Sequence, residues 1–280
     1  MNNVLFVNKP SGISSFDVCF KLRKVLNTKK IGHTGTLDPL ADGVMIILFD
    51  KATKANQFLV TDRKGYRCKV LLGVKTDTLD IDGNIIEENS FIVPEYETLK
   101  NTLNSFIGKS IQELPITSAV SVDGKRLYQY QREGKEVELP TREIEVFSIE
   151  LEEVCEDGFI YSCVVSSGTY IRALTRDILN KLNLIGTVKE LNRTSIDDIT
   201  IEDCDRLEDI LNNNYKTHNL YELLSKRYKT IEYDNIDAIK NGKPIKINCD
   251  EDRVLIVDNT DVLAVYEKDN TLYKCVRGLW

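Results

Sequence analysis

The side chains with the most chemical promise stand in one loop. Residues Gly32-His33-Thr34-Gly35-Thr36-Leu37-Asp38-Pro39-Leu40-Ala41-Asp42-Gly43 hold three glycines and a proline, too many for a regular helix or strand. Pro39 drives Asp38 out of the right-handed helical region into an extended conformation, so an anionic oxygen projects from a backbone of fixed shape. An Asp-Pro pair also starts ordinary turns, and Asp38 gains its interest from what accompanies it. The second chemical stretch is Ser166-Ser167-Gly168-Thr169-Tyr170-Ile171-Arg172. Gly168 and Thr169 mark the end of a strand and the start of a helix, which places Arg172 in the first turn, free to reach a neighbouring carboxylate. The helix dipole favours anions at that end, so the guanidinium needs another partner. A third stretch interleaves Lys125, Arg126, Tyr128, Tyr130 and Arg132, a mixture suited to phosphates and bases and equally to snorkelling side chains.

Several chemistries drop out. The chain has 2 histidines and 7 cysteines with no C-x-x-C pair, which argues against a metal site or a disulfide framework and for reduced thiols. No phosphate-cradling G-x-x-x-x-G-K-[ST] run occurs. Thr76-Asp77-Thr78-Leu79-Asp80-Ile81-Asp82-Gly83 imitates a calcium loop, but aligning Gly83 with the required glycine leaves Asn89 where a bidentate glutamate belongs. No signal-peptide pattern opens the chain and no apolar run could span a bilayer, so a cytoplasmic location is expected, with no membrane contact. Net charge is -7, yet the first 70 residues hold 12 Lys/Arg against 5 Asp/Glu, while residues 71–225 hold 15 against 29. That segregation predicts a basic face near the loop, the footprint of a nucleic-acid binder.

The elements that must position these groups follow from periodicity. Residues 4–7 read as a strand and Ser14 as the N-cap of a helix to residue 25, with Asp17 completing a capping box and Phe16, Cys19, Phe20 and residues 22–26 as its apolar stripe. Residues 44–49 read as a buried strand, 52–61 as a short helix, 65–73 as a half-buried strand and 95–106 as a helix. Residues 144–154 and 159–165 form a hairpin through Glu156-Asp157-Gly158, and three short β runs after residue 253 form a meander.

Five motifs then fall in register: Asn8-Lys9-Pro10-x-Gly12, Gly32-His33-Thr34-Gly35-x-Leu37-Asp38-Pro39, Lys64-x-Tyr66, Thr76-Asp77-Thr78-x-Asp80-x-x-Gly83 and Gly168-Thr169-Tyr170-Ile171-Arg172. Together they closely resemble the TruB-type tRNA pseudouridine synthases over residues 4–194. The resemblance implies a mixed α/β catalytic core on a largely antiparallel sheet, spanning 1–225, and a small PUA-like β-barrel domain at 226–280. It implies isomerisation of the T-loop uridine at position 55 of tRNA, without cofactor or metal, by a monomer with the tRNA T stem-loop as partner. By the same resemblance Asp38 is the catalytic nucleophile, and a carboxylate can add covalently to a sugar or a ring carbon. Arg172 is its cationic neighbour, and Tyr66 stacks on the target base and helps remove its proton. Tyr170 and Leu191 line the uracil pocket, His33 fills the space of the flipped nucleotide, and Lys9 and Lys64 belong to the substrate-binding set, Lys9 bracing the loop. The chain departs from the pattern at Met45, Ile46, Leu114, Ser121 and Asn192, the last two removing positive charge. An RNA-binding or tRNA-folding protein with secondary catalysis is the alternative, and intact Asp38, Tyr66 and Arg172 speak against it.

Overall fold

The computed structural model describes residues 3–59 and 62–280. The chain forms two compact units, one of Met1–Asp38, Val44–Val60 and Ile201–Trp280, the other of Pro39–Gly43 and Thr61–Thr200. The chain therefore changes unit between Asp38 and Pro39, within the loop singled out above.

In the first unit, β1 (Val4–Lys9) leads into a turn and then α1 (Ser15–Val25). The expected cap is present: the Ser14 hydroxyl accepts from the Asp17 amide at 3.1 Å, and the Asp17 carboxylate accepts from the Ser14 amide at 2.9 Å. Such a box contributes about 1 kcal/mol. The apolar stripe differs from expectation. Val18, Cys19 and Leu22 enter the core with Leu5, Val7, Met45 and Ile47. Phe16 and Phe20 are 64% and 62% exposed, beside the Arg23 guanidinium at 5.9 and 5.8 Å from their ring centres. At 3.6 residues per turn, positions 15, 18, 19 and 22 share one face and 16, 20 and 23 the other, so no single stripe holds them all. Next, β2 (Ile31–His33) pairs antiparallel with β3 (Asp42–Phe49), His33 opposite Ile47, which shortens the loop to residues 34–41. After β3 a 3-10 helix spans Asp50–Phe58; the expected helix end at Thr61 lies outside the described residues.

The second unit is built on β4 (Arg63–Leu72), whose Tyr66, Cys68, Val70 and Leu72 are buried while Arg67 and Lys69 are half-buried, as a period of two requires. A hairpin of β5 (Val74–Thr76) and β6 (Ile85–Glu88) follows, then α2 (Tyr96–Asn104) and β7 (Gly108–Glu113). Two-residue strands β8 (Ser121–Val122) and β9 (Lys125–Arg126) close through Asp123 and Gly124, both at positive φ, and feed α3 (Leu127–Arg132). The long hairpin of β10 (Thr141–Cys155) and β11 (Gly158–Ser166) is as expected, and α4 (Ile171–Lys181), β12 (Gly186–Ile196) and β13 (Ile199–Thr200) complete the unit. Its sheet runs β12, β4, β11, β10, β7, every pair antiparallel.

The first unit resumes with β14 (Asp205–Arg206), parallel to β1, and ends in β15 (Lys229–Glu232), β16 (Arg253–Asp258), β17 (Asp261–Asp269) and β18 (Leu272–Gly278). The last three are the expected meander, turning at Asn259 and Asn270 in left-handed backbone. Ile239, Ile245, Val254, Ile256, Ala264, Tyr266 and Tyr273 give this sheet its own core, consistent with a small PUA-like fold. The architecture is thus mixed α/β with largely antiparallel sheets. Among the described residues no helix is long and apolar enough to cross a membrane.

Candidate active site

Asp38 lies half-buried in irregular backbone, as the following proline requires. Each half of its loop is tied down within its own unit. On the N-terminal side the Ser15 hydroxyl accepts from the Leu37 amide at 2.8 Å and donates to the Leu37 carbonyl at 3.0 Å. Thr34 also donates its amide to Ile46 O at 3.1 Å. On the C-terminal side Asp42 and Gly43 pair in parallel with Asn192 and Arg193 of β12. Gly43 sits at φ +109°, and a Cβ there would fall 2.2 Å from the Arg193 carbonyl, so only glycine fits. The Asn192 amide donates to Asp42 Oδ1 at 2.7 Å. The departure noted at Asn192 therefore exchanges a positive charge for a bond that holds the loop.

Lys9 is fully buried, and its ammonium donates to Pro10 O at 3.0 Å and Ile13 O at 2.7 Å. These two bonds tie the turn that follows β1. His33 ends β2 and is half-buried.

Within the second unit the structure gathers most of the remaining residues on one sheet face. Tyr66 and Cys68 of β4 stand opposite Arg193 and Leu191 of β12, so these four side chains share a face. Helix α4 packs on the same face: Thr175 bonds the Tyr161 hydroxyl at 2.8 Å and approaches Cys68 Sγ at 3.7 Å. Thr175 lies one turn beyond Arg172, and the start of that helix is set by Gln112. The buried Gln112 amide accepts from Tyr170 N at 2.9 Å and donates to Tyr170 O at 3.1 Å. Tyr66 is 7% exposed and Leu191 6%, and the fully buried Arg193 stands opposite Tyr66. Lys64, on the same strand as Tyr66, has its pKa lowered to about 8, chiefly by burial and then by the Arg193 charge, against the pull of Asp197.

Arg172 is 3% exposed, which excludes a solvated surface role. Its guanidinium donates to Thr78 O at 2.7 Å and Thr117 O at 3.0 Å and lies 3.4 Å from Asp80 Oδ2. Opposite charge and directed carbonyls together hold a buried cation. The calcium-like segment proves to be the source of that holder. Thr76 Oγ1 donates to Asp80 O, and Thr78 Oγ1 to Asp80 Oδ1, both at 2.7 Å. Gly83 leaves room for Thr78 Oγ1, which would lie 2.2 Å from a Cβ there. The turn thus folds on itself and presents Asp80 to Arg172. The sequence reading weighed this stretch as a calcium loop and used it as a family mark, and it assigned no role to Asp80, Gln112 or Ser15; the run of threonines and aspartates before a glycine was the signal for the first.

A family described as "TruB family pseudouridylate synthase (N terminal domain)" matches residues 23–171. A protein of Clostridium tetani (strain Massachusetts / E88) named tRNA pseudouridine synthase B is 39% identical over 274 residues, covering 96% of this chain and 93% of its own. Its namesake in Mesoplasma florum (strain ATCC 33453 / NBRC 100688 / NCTC 11704 / L1) is 34% identical, covering 99% and 98%. Among solved structures, a chain of a Cbf5-Nop10-Gar1 complex superposes with a TM-score of 0.72 at 21% identity, covering 100% of this chain and 85% of that one, a likeness of fold.

Proposed function

The chain belongs to the TruB family of pseudouridylate synthases, and we propose that it isomerises the T-loop uridine at position 55 of tRNA to pseudouridine with Asp38 as nucleophile. The observation that carries this reading is the near full-length relation to proteins named tRNA pseudouridine synthase B, 39% identical across 96% of the chain. In the reaction the N1–C1′ bond breaks, the base turns and a C5–C1′ bond forms; C5 loses a proton and N1 gains one, with no net redox change, hydrolysis or phosphate transfer. The uridine must leave its stacked loop, and Tyr66, Tyr170 and Leu191 receive it, recovering part of the stacking lost. Asp38 supplies the covalent oxygen. Arg172, already fixed by Asp80 and two carbonyls, favours the ionised form of that aspartate where desolvation would neutralise it. Tyr66 assists departure of the C5 proton, His33 occupies the space the nucleotide vacates, and Lys64 contributes charge toward the RNA.

The partner is the tRNA T stem-loop, bound by a monomer in the cytoplasm. Residues 1–225 form the catalytic domain and 226–280 an RNA-binding PUA-like domain. The test is to incubate purified protein with an unmodified tRNA transcript, without additives, and map pseudouridine at nucleotide resolution. Modification confined to the T-loop uridine is expected, and Asp38→Asn is expected to bind tRNA and form none. Turnover by Asp38→Asn would refute the nucleophile. Accelerated tRNA folding with no product from the wild type would instead favour an RNA-folding protein.

A further inference from the structure

Ser15 is held in a way that helix capping does not require. It is the first residue of α1, 2% exposed, and its hydroxyl makes both bonds to Leu37, at 2.8 Å to the amide and 3.0 Å to the carbonyl, across 22 positions of sequence. The capping work at this helix start is done by Ser14 with Asp17. We propose that Ser15 is a positioning residue for Asp38, an inference that rests on the reading of Asp38 as nucleophile.

The argument is one of peptide geometry. The Leu37 carbonyl belongs to the planar unit that contains the amide and Cα of Asp38. A donor that fixes this oxygen fixes the plane from which the Asp38 side chain departs, and the second bond fixes the plane before it. Between the clamp and the carboxylate only φ of Asp38 and its own side-chain torsions remain. The anchor itself is rigid: Lys9 ties the turn at Pro10 and Ile13, and Val18, Cys19 and Leu22 root the helix in the core. Leu37 is 4% exposed, so without the hydroxyl its amide and carbonyl would seek other partners and the loop would turn. Displacing a reacting group by about 1 Å costs on the order of a hundredfold in rate.

The experiment measures the single-turnover rate at saturating tRNA, the tRNA dissociation constant and the melting temperature. Ser15→Ala removes both bonds; Ser15→Cys keeps the volume but substitutes a weak donor and acceptor. Each is expected to lower the rate by about ten- to a hundredfold with the dissociation constant within about twofold of wild type. Val18→Ala, which weakens the same helix without touching Leu37, is expected to melt earlier and retain the wild-type rate. A wild-type rate in Ser15→Cys, or an equal loss in Val18→Ala, overturns the inference. Asp38→Asn runs alongside: if it turns over, the nucleophile reading fails; if it is inert while Ser15→Cys is unimpaired, the positioning role alone fails.

Discussion

At the scale of residues, chemistry at this site depends on charges whose surroundings come from distant parts of the chain. Arg172 was legible because its motif is compact, but its partner Asp80 was not, since the two are joined only once α4 packs over the β5–β6 turn. Asp80→Asn keeps the shape and removes the charge that orients Arg172, so turnover should fall by about tenfold or more at unchanged tRNA affinity. Asp80→Ala leaves a buried guanidinium short of its counter-charge and should cost about 3–5 kcal/mol in urea unfolding. Lys64 yields a pH test with two signs. Its pKa drops from the ordinary 10.5 to about 8 in the fold, so the ammonium is charged below pH 8 and neutral above it. RNA affinity should weaken as pH rises through 8, and Lys64→Arg, which stays charged, should abolish that dependence. Stability moves the opposite way. The unfolded chain holds the proton that the folded chain has released, so Lys64 makes stability climb between pH 8 and 10.5, a rise that Lys64→Met should flatten in denaturation curves.

At the scale of elements, α1 shows what a sequence does and does not convey. Its cap and length are local properties and were read correctly from Ser14 and Asp17, whereas the face it buries is decided by β1 and β3, so Phe16 and Phe20 were misplaced. The strands of the second unit were legible by alternation, but the approach of β3 to β12 at Gly43 was not, because parallel pairing across some 150 residues leaves no local trace. Gly43→Ala measures that approach. The backbone angle alone costs an L residue about 1–3 kcal/mol, and the Arg193 carbonyl must also move. We expect a melting temperature lowered by several degrees together with reduced turnover, and a silent substitution would show that β12 does not hold the loop.

At the scale of the whole molecule, the sequence segregates charge more sharply than the fold does. The first unit carries 20 Lys/Arg against 19 Asp/Glu and the second 17 against 25, because residues 201–225 bring acidic side chains to the basic N-terminal segment. Attraction to tRNA must then come from local clusters rather than net charge. If such a cluster meets four or more phosphates, log affinity should fall with log salt at a slope of about -3 or steeper, and a flat response would rule out a phosphate-led interface. The expected boundary near residue 225 can be tested in the same molecule, since Lys54 reaches the Trp280 carbonyl at 2.8 Å and Tyr228 the Phe58 carbonyl at 3.4 Å. Truncation after residue 225 should therefore destabilise the 3-10 helix Asp50–Phe58 as well as weaken RNA binding. The buried thiol of Cys68 offers a last use. Burial pushes its pKa up to about 12, and it sits beneath the helix that carries Arg172, next to Thr175. An alkylating reagent reaches it only when that seam parts, so the rate of its labelling is a built-in clock for breathing between α4 and β4, and bound tRNA should slow the clock.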